Sequence, residues 1–474
     1  MEATVSDERP SAEDPATFRE VFAQQEFRAV FTAGALSWVG DYVAKAAVTL
    51  LVYQKTESVG LSAVAFAVSF LPWLLGGPVL AALAERYPYR RVMVACDLIR
   101  MALMLLIAIL ELPYQAVLVL IFAATLANPP SQAAKSALMP QMLAGDRLVL
   151  GLSLNASVGQ AAQIVGYVLG AAVASIDPQV ALLFNAATFG VSALLVRFGV
   201  RDRPAVPNPA HRSHLLQETR QGFAIVFGTP VLRAIAVLVF SAMLFSILPE
   251  GLAVGWANEE GGGGLSASTA QAVIMVAGPV GFILGGLLVS RLFGPARRLK
   301  LMRPLAVLAP LMLVPTLFDP PPLAVALLAA LCGFAVAGML PMANGLFVQA
   351  LPNGFRARAF GVMATGVQVI QGFAVLATGL IADRFNNIPF VVGLWSAAGV
   401  VLMAVAALCW PDRQTITDAI AAATAANATP PDDTDDTGGA GGAAGAGGAG
   451  GAGGAAAGPP EPRSGEGHRR HAVT

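Results

Sequence analysis

Long apolar runs separated by short polar links fill the chain from Ala29 to Cys409. A helix needs roughly 20 apolar residues to cross the hydrocarbon core of a bilayer, and twelve runs qualify. Spans 1 to 6 are expected over Ala29–Val52, Ser62–Ala84, Val92–Leu110, Pro113–Ala133, Gly151–Ser175 and Gln179–Phe198. Spans 7 to 12 are expected over Leu232–Gly255, Ala270–Val289, Leu301–Phe318, Leu323–Ala350, Ala359–Ile381 and Ile388–Cys409. The links Glu111-Leu112 and Asp319 to Pro322 are short enough to make hairpins of spans 3 and 4 and of spans 9 and 10. The pattern predicts an all-α membrane protein with twelve transmembrane helices.

Charge in the links orients the bundle. Even-numbered loops hold basic clusters: Arg86, Arg90 and Arg91, then Lys135 and Arg147, then a run from Arg197 to Arg220, then Arg291 to Arg303, then Arg356 and Arg358. Odd-numbered loops hold only Lys55 and Arg384. The positive-inside rule puts the even loops and both termini on the cytoplasmic side of the cell membrane. Residues 201–228 form the longest internal polar segment and read as a cytoplasmic loop between two six-span halves, 27–200 and 229–410. Residues 1–26 precede them, with a short amphipathic helix capped by Asp14 and opened by Pro15. Residues 411–474 turn acidic and then Gly/Ala-rich, a composition that buries no core and predicts a disordered cytoplasmic tail.

Composition narrows the function. Charged residues are 12% of the chain and apolar ones 56%, too little polar surface for a soluble protein of 474 residues. The net charge of zero offers nothing to a nucleic acid. Cys96, Cys332 and Cys409 are too dispersed for a disulfide framework or a zinc site, and all four histidines fall in a loop or the tail. Gly261–Gly264 is not followed by Gly-Lys-Ser/Thr and is no phosphate loop; it reads as an extracellular linker. With no nucleophile–base pair and no metal cluster, neither enzyme chemistry nor a cofactor is expected.

The halves repeat each other at an offset near 205. Arg28-Ala29-Val30 opens span 1 and Arg233-Ala234-Ile235 opens span 7; Leu61-Ser62-Ala63 and Leu265-Ser266-Ala267 precede spans 2 and 8. Gln160 and Gln163 on span 5 match Gln368 and Gln371 on span 11. Parallel six-span repeats imply a pseudo-twofold axis along the membrane normal, a site between the halves and alternating access.

These residues resemble the major facilitator superfamily. Its loop signature G-x-x-x-D-R-x-x-x-R-R is matched by Ala81 to Arg91, with alanine for glycine, Glu85 for aspartate, and Arg86, Arg90 and Arg91 in place. Val39-Gly40-Asp41, the stretch Cys96 to Arg100 and the stretch Arg356 to Gly361 resemble its efflux branch of macrolide- and siderophore-exporter-like proteins. The span 5 signature G-P-x-x-G-G appears as Gly166 to Ala171, with Tyr167 where the family has proline. The resemblance implies that Glu85 docks at the N-terminus of span 11 and, with Arg86, Arg90, Arg91, Asp97 and Arg100, forms a cytoplasmic latch. Glu85 as a solvated loop charge is the plainer alternative.

A charge at the centre of a span costs roughly 2.5–3.5 kcal/mol, so it needs a partner or water. Spans 3, 9 and 12 are hydrocarbon through their middles, which suits lipid-facing positions. Span 1 carries Ser37, Asp41, Lys45 and Thr49 at helical spacing, span 5 carries Gln160, Gln163 and Tyr167, and span 11 carries Gln368 and Gln371. With Trp38 and Tyr42, these are candidates to line a central cavity. Trp73 and Phe245 are further aromatic candidates. Asp41 and Lys45 lie one turn apart and form either a self-neutralising pair or a proton-coupling site. Asp97 and Arg100, near the start of span 3, form an i, i+3 pair or take part in coupling. Lys45 and Glu250 are equivalent in the repeat and are candidates for an outer gate, unless Lys45 stays with Asp41 or Glu250 meets water. The expected function is secondary active, proton-coupled export of small organic molecules by a lipid-embedded monomer. A metabolite uptake carrier and a non-transporting receptor or assembly protein are the alternatives.

Overall fold

The computed structural model describes residues 17–75, 87–203, 215–259, 264–352 and 355–428, and these contain helices and no strand. Span 1 is Gln25–Thr56, span 3 Tyr89–Ile109, span 5 Asp146–Ala174 and span 6 Pro178–Gly199. Span 8 is Ala267–Leu292, span 10 Pro322–Gln349, span 11 Arg356–Phe385 and span 12 Ile388–Leu408. The remaining four are interrupted. The described part of span 2 is Val59–Val68 and Leu71–Leu75; span 4 joins Tyr114–Thr125 to Asn128–Met142; span 7 joins Pro230–Ser246 to Leu248–Glu259; span 9 joins Pro295–Leu311 to a 3-10 turn, Val314–Phe318. Prolines account for the breaks in spans 4 and 7: Pro129 and Pro130 follow one, Pro249 the other, and each removes a backbone donor.

The repeat is visible in how the spans begin. Gln25 and Pro230 open spans 1 and 7, an offset of 205, and Pro178 and Ile388 open spans 6 and 12, an offset of 210. Ser58 and Ser266 cap spans 2 and 8, each hydroxyl accepting from the backbone N–H three residues on. Asp177 and Asn387 cap spans 6 and 12, the Asp177 carboxylate accepting from Gln179 N–H and the Asn387 amide oxygen from Phe390 N–H, each with a proline in the first turn. Pro113 and Pro321 precede spans 4 and 10. Like residues thus satisfy the orphan donors of equivalent helix ends.

Glycines bring the helices together. Gly166 and Gly170 lay span 5 on span 1, where a Cβ would overlap Tyr42 and Val43. On span 8, a Cβ at Gly281 or Gly285 would strike the Ala330 or Phe334 carbonyl of span 10, and Gly333 answers against the Gly278 carbonyl. Such small-residue seams suit helices that gain no hydrophobic drive from lipid. Outward faces carry exposed side chains such as Leu106, Phe184, Leu287, Leu394 and Val401.

Several expectations change. The described N-terminal helix is Phe18–Ala23, capped by Thr17, whose hydroxyl accepts from Glu20 N–H, while Asp14 and Pro15 lie outside the described residues. The central segment is not all loop: Leu215–Gly228 is a helix whose Gly222 meets span 11 at the Arg358 carbonyl. Residues Arg413–Ala428 form a helix with Ala423 buried, because Ile416, Ala419 and Ile420 pack on the C-terminal core. Glu85, Arg86, Gly261–Gly263, most of the N-terminal segment and the tail beyond Ala428 lie outside the described residues.

Candidate functional site

Span 4 runs on to Met142, well past the expected end at Ala133. Lys135 is therefore not a loop cation but a buried one, on the segment after the proline break. Span 3 is likewise not hydrocarbon through its middle. Asp97 and Arg100 are both buried and face inward, while Leu98 and Ile99 face out. Together with span 1 these helices enclose a cavity of about 280 Å³, lined by Ser37, Trp38, Asp41, Tyr42, Lys45, Trp73, Asp97, Arg100, Lys135 and others. Apart from Gln368 of span 11, its walls belong to the N-terminal half.

Both intrahelical pairs expected from spacing are replaced by contacts between helices. Arg100 crosses from span 3 to pair with Asp41 on span 1, and its guanidinium lies 3.9 Å from the centre of the Phe189 ring on span 6. Asp97 accepts a 2.6 Å hydrogen bond from Ser192, also on span 6. Lys45 does not pair with Asp41; its ammonium lies over Phe70 at 4.6 Å and Phe66 at 5.3 Å. The planar guanidinium fits a carboxylate and an aromatic face at once, so it takes Asp41 from the nearer lysine. Asp97 and Arg100 accordingly line the cavity and tie spans 1, 3 and 6 together.

A second cluster lies on the seam between the halves, toward the arginine-poor end. The Glu250 carboxylate, in the first turn after the break in span 7, accepts from Tyr167 Oη at 3.0 Å and Gln163 Nε2 at 3.2 Å. Tyr167 is buried and meets the Tyr42 ring edge-on. Lys45 is within electrostatic reach of Glu250, yet the two form no ion pair among the described residues, because the rings of span 2 hold the ammonium. Gln163 and Tyr167 are therefore partners of Glu250 and do not line the cavity. Gln160 and Gln371 do not line it either, Gln371 being turned to Met243, and Phe245 packs against Gly399 of span 12. Nearer the end, Asp383 of span 11 accepts from Ser58 Oγ at 3.1 Å and Gly60 N at 3.3 Å. The halves are closed on each other there.

The Major Facilitator Superfamily model matches residues 30–374, across both halves. This chain belongs to the major facilitator superfamily. As a major facilitator it is a multi-pass membrane protein and a secondary transporter, with lipid around its bundle and a small molecule as substrate. The family is one of transporters and not of enzymes. Macrolide efflux protein A of Streptococcus pyogenes is 20% identical over 402 residues, which cover 81% of this chain and 95% of that protein. Among solved structures, a POT family transporter in complex with 5-aminolevulinic acid matches with a TM-score of 0.62 at 11% identity, over 80% of this chain and 94% of its own. The nucleoside transporter NupG matches at 0.61 and 14% identity, over 82% and 100%. A bacterial homolog of the human lysosomal transporter Spinster, inward-facing and occupied, matches at 0.60 and 14%, over 87% and 96%. At these identities the likeness is one of fold.

The facilitator's loop signature is anchored within its own half. Arg90 forms a 2.7 Å ion pair with Asp202 and donates to the Val200 carbonyl, and Arg91 reaches Asp202 at 3.3 Å. The two arginines thus fasten the start of span 3 to the segment leaving span 6. Sequence reasoning missed the cavity residues of spans 4 and 6. Their signal was present as polar stripes at helical spacing: Asn128, Ser131, Gln132 and Lys135 on one, Asn185 and Ser192 on the other.

Proposed function

We propose that this facilitator is a proton-coupled exporter of small organic molecules, working as a monomer in the cell membrane with both termini in the cytoplasm. The arginine-rich loops favour that orientation, and the similarity to a macrolide efflux protein favours export. The closed, arginine-poor end then faces outward. The observation that carries the coupling is Glu250: an ionisable group of one half, buried on the seam and bonded to Gln163 and Tyr167 of the other. Parting the halves breaks both bonds, so the proton on this carboxylate and the opening of the outer end are linked. The ionised form clamps the end shut and stops the empty carrier from cycling; the protonated form lets it reorient. Asp41, held by Arg100, anchors the cavity, and Lys45 senses both carboxylates. One charge crossing ~100 mV releases roughly 2.3 kcal/mol, close to the roughly 2.7 kcal/mol cost of a hundredfold gradient of a neutral solute.

The test begins with cells that carry or lack the protein, profiled for sensitivity to a broad compound panel. A compound from which the protein protects is then followed in inverted vesicles. Export should collapse with the pH gradient and become gradient-insensitive in Glu250→Gln. Protection that persists without a proton gradient contradicts coupling, and greater sensitivity in cells carrying the protein points to uptake.

A further inference from the structure

Among the charged groups of the cavity, Lys135 stands apart. Asp41 has Arg100, and Asp97 has Ser192. The Lys135 ammonium is buried, lines the cavity and has no hydrogen-bond partner among the described residues; Asp97 is within electrostatic reach and makes no ion pair with it there. Three cations, Lys45, Arg100 and Lys135, face two carboxylates there. A buried ammonium with no acceptor is costly unless something completes it. Its position is also shaped: it lies 4.1 Å from the centre of the Trp38 ring, and the space it fills exists because residue 34 of span 1 is glycine, where a Cβ would overlap Nζ. Ser131 and Gln132, on the same stretch of span 4, add neutral hydrogen-bonding groups to the same wall.

We infer that this is the recognition site for an amphipathic organic anion, whose single anionic group binds Lys135 while its flat apolar body lies along Trp38. The inference rests on the reading of the chain as a carrier of small organic molecules and names their class. A volume of about 280 Å³ lies just below the ~300–1,000 Å³ usual for ligand pockets, so the body is one or two fused rings. Lys135 supplies a charge-assisted hydrogen bond to the anion. Arg100 is committed to Asp41 and the Lys45 ammonium is held over the Phe66 and Phe70 rings, so neither competes for it.

The test uses three probes that share a naphthalene body: naphthoate, naphthalenemethanol and naphthylmethylammonium. Binding to the purified full-length protein is measured in detergent, where no gradient exists. A protein that neither exports nor uses protons would therefore leave this measurement intact, and failure here would leave the transport reading standing. Naphthoate should bind about tenfold or more tighter than the alcohol, the effect of one charge-assisted hydrogen bond, and the ammonium probe weakest. Lys135→Met should remove the preference for naphthoate while still binding the alcohol, which shows that the cavity is intact. Lys135→Arg should retain part of the preference, and Trp38→Leu should weaken all three probes. If Lys135→Met loses the alcohol as well, Lys135→Arg decides alone: a retained preference for the anion supports the site, and a lost one overturns it. Tighter binding of the cation, or an unchanged preference in Lys135→Met, also overturns it.

Discussion

The two halves share a plan and differ in what they bury. The N-terminal half encloses Asp41, Asp97, Arg100 and Lys135 around a cavity and joins spans 1, 3 and 6 through side-chain contacts. Among the described residues of the C-terminal half, the one buried charged side chain is Glu250, and it is bonded to the opposite half. Where the first half uses ion pairs, the second sets backbone against backbone along the glycine seam of spans 8 and 10. The repeat therefore supplies one scaffold for two tasks. One half encloses the charged cavity, and the other meets it through a carboxylate.

The difference is broken most severely by stranding a charge. Arg100→Met should leave Asp41 without its cation and cost on the order of 3 kcal/mol, read as a lower melting temperature in detergent. Asp41→Asn in the same chain should recover much of that loss, because the two side chains act as a unit. On the other side of the comparison, Gly281→Val should cost about 1–3 kcal/mol by overpacking against the Ala330 carbonyl. Gly286→Ala, five residues along and facing open space, should change the melting temperature little. An equal cost at both glycines would show that the seam is no seam.

The smallest effect concerns neither half. Asp412 caps the terminal helix by accepting from Thr415 N–H at 2.8 Å. Its carboxyl is held below the usual carboxylate range by the hydrogen bonds of the Thr415 side chain and backbone. That contribution is present above the ordinary carboxylate pKa and fades as pH falls through the lowered one. The protection of the Arg413–Ala428 amides, corrected for the intrinsic exchange rate, should therefore fall slightly in acid, and Asp412→Ala should show the lower protection at neutral pH.

The spans, the repeat and the division into halves were legible because apolar run length and loop charge are one-dimensional signals. The helices Leu215–Gly228 and Arg413–Ala428 were not, since their stability comes from docking on the C-terminal half and not from a long apolar run. At the site, the polar residues of span 1 were found and their partners were mistaken. Spacing along one helix makes Asp41 and Lys45 neighbours, but helices packed through small residues bring Arg100 closer. Lys135 was read as a loop charge because the apolar run ends near Ala133, whereas the helix Asn128–Met142 carries the span on through less apolar sequence.

The central claim is that Glu250, reaching from the C-terminal half to Gln163 and Tyr167 of the N-terminal one, clamps the arginine-poor end when ionised. Spin labels at Gln54 of span 1 and Arg384 of span 11, both exposed near that end, report its opening directly. In the unliganded protein, the distance between Gln54→Cys and Arg384→Cys labels should be short at alkaline pH and gain a longer population as the pH is lowered. With Glu250→Gln added, the longer population should be present at every pH. A distance distribution that ignores pH in the parent, or that follows pH unchanged after Glu250→Gln, would contradict the account.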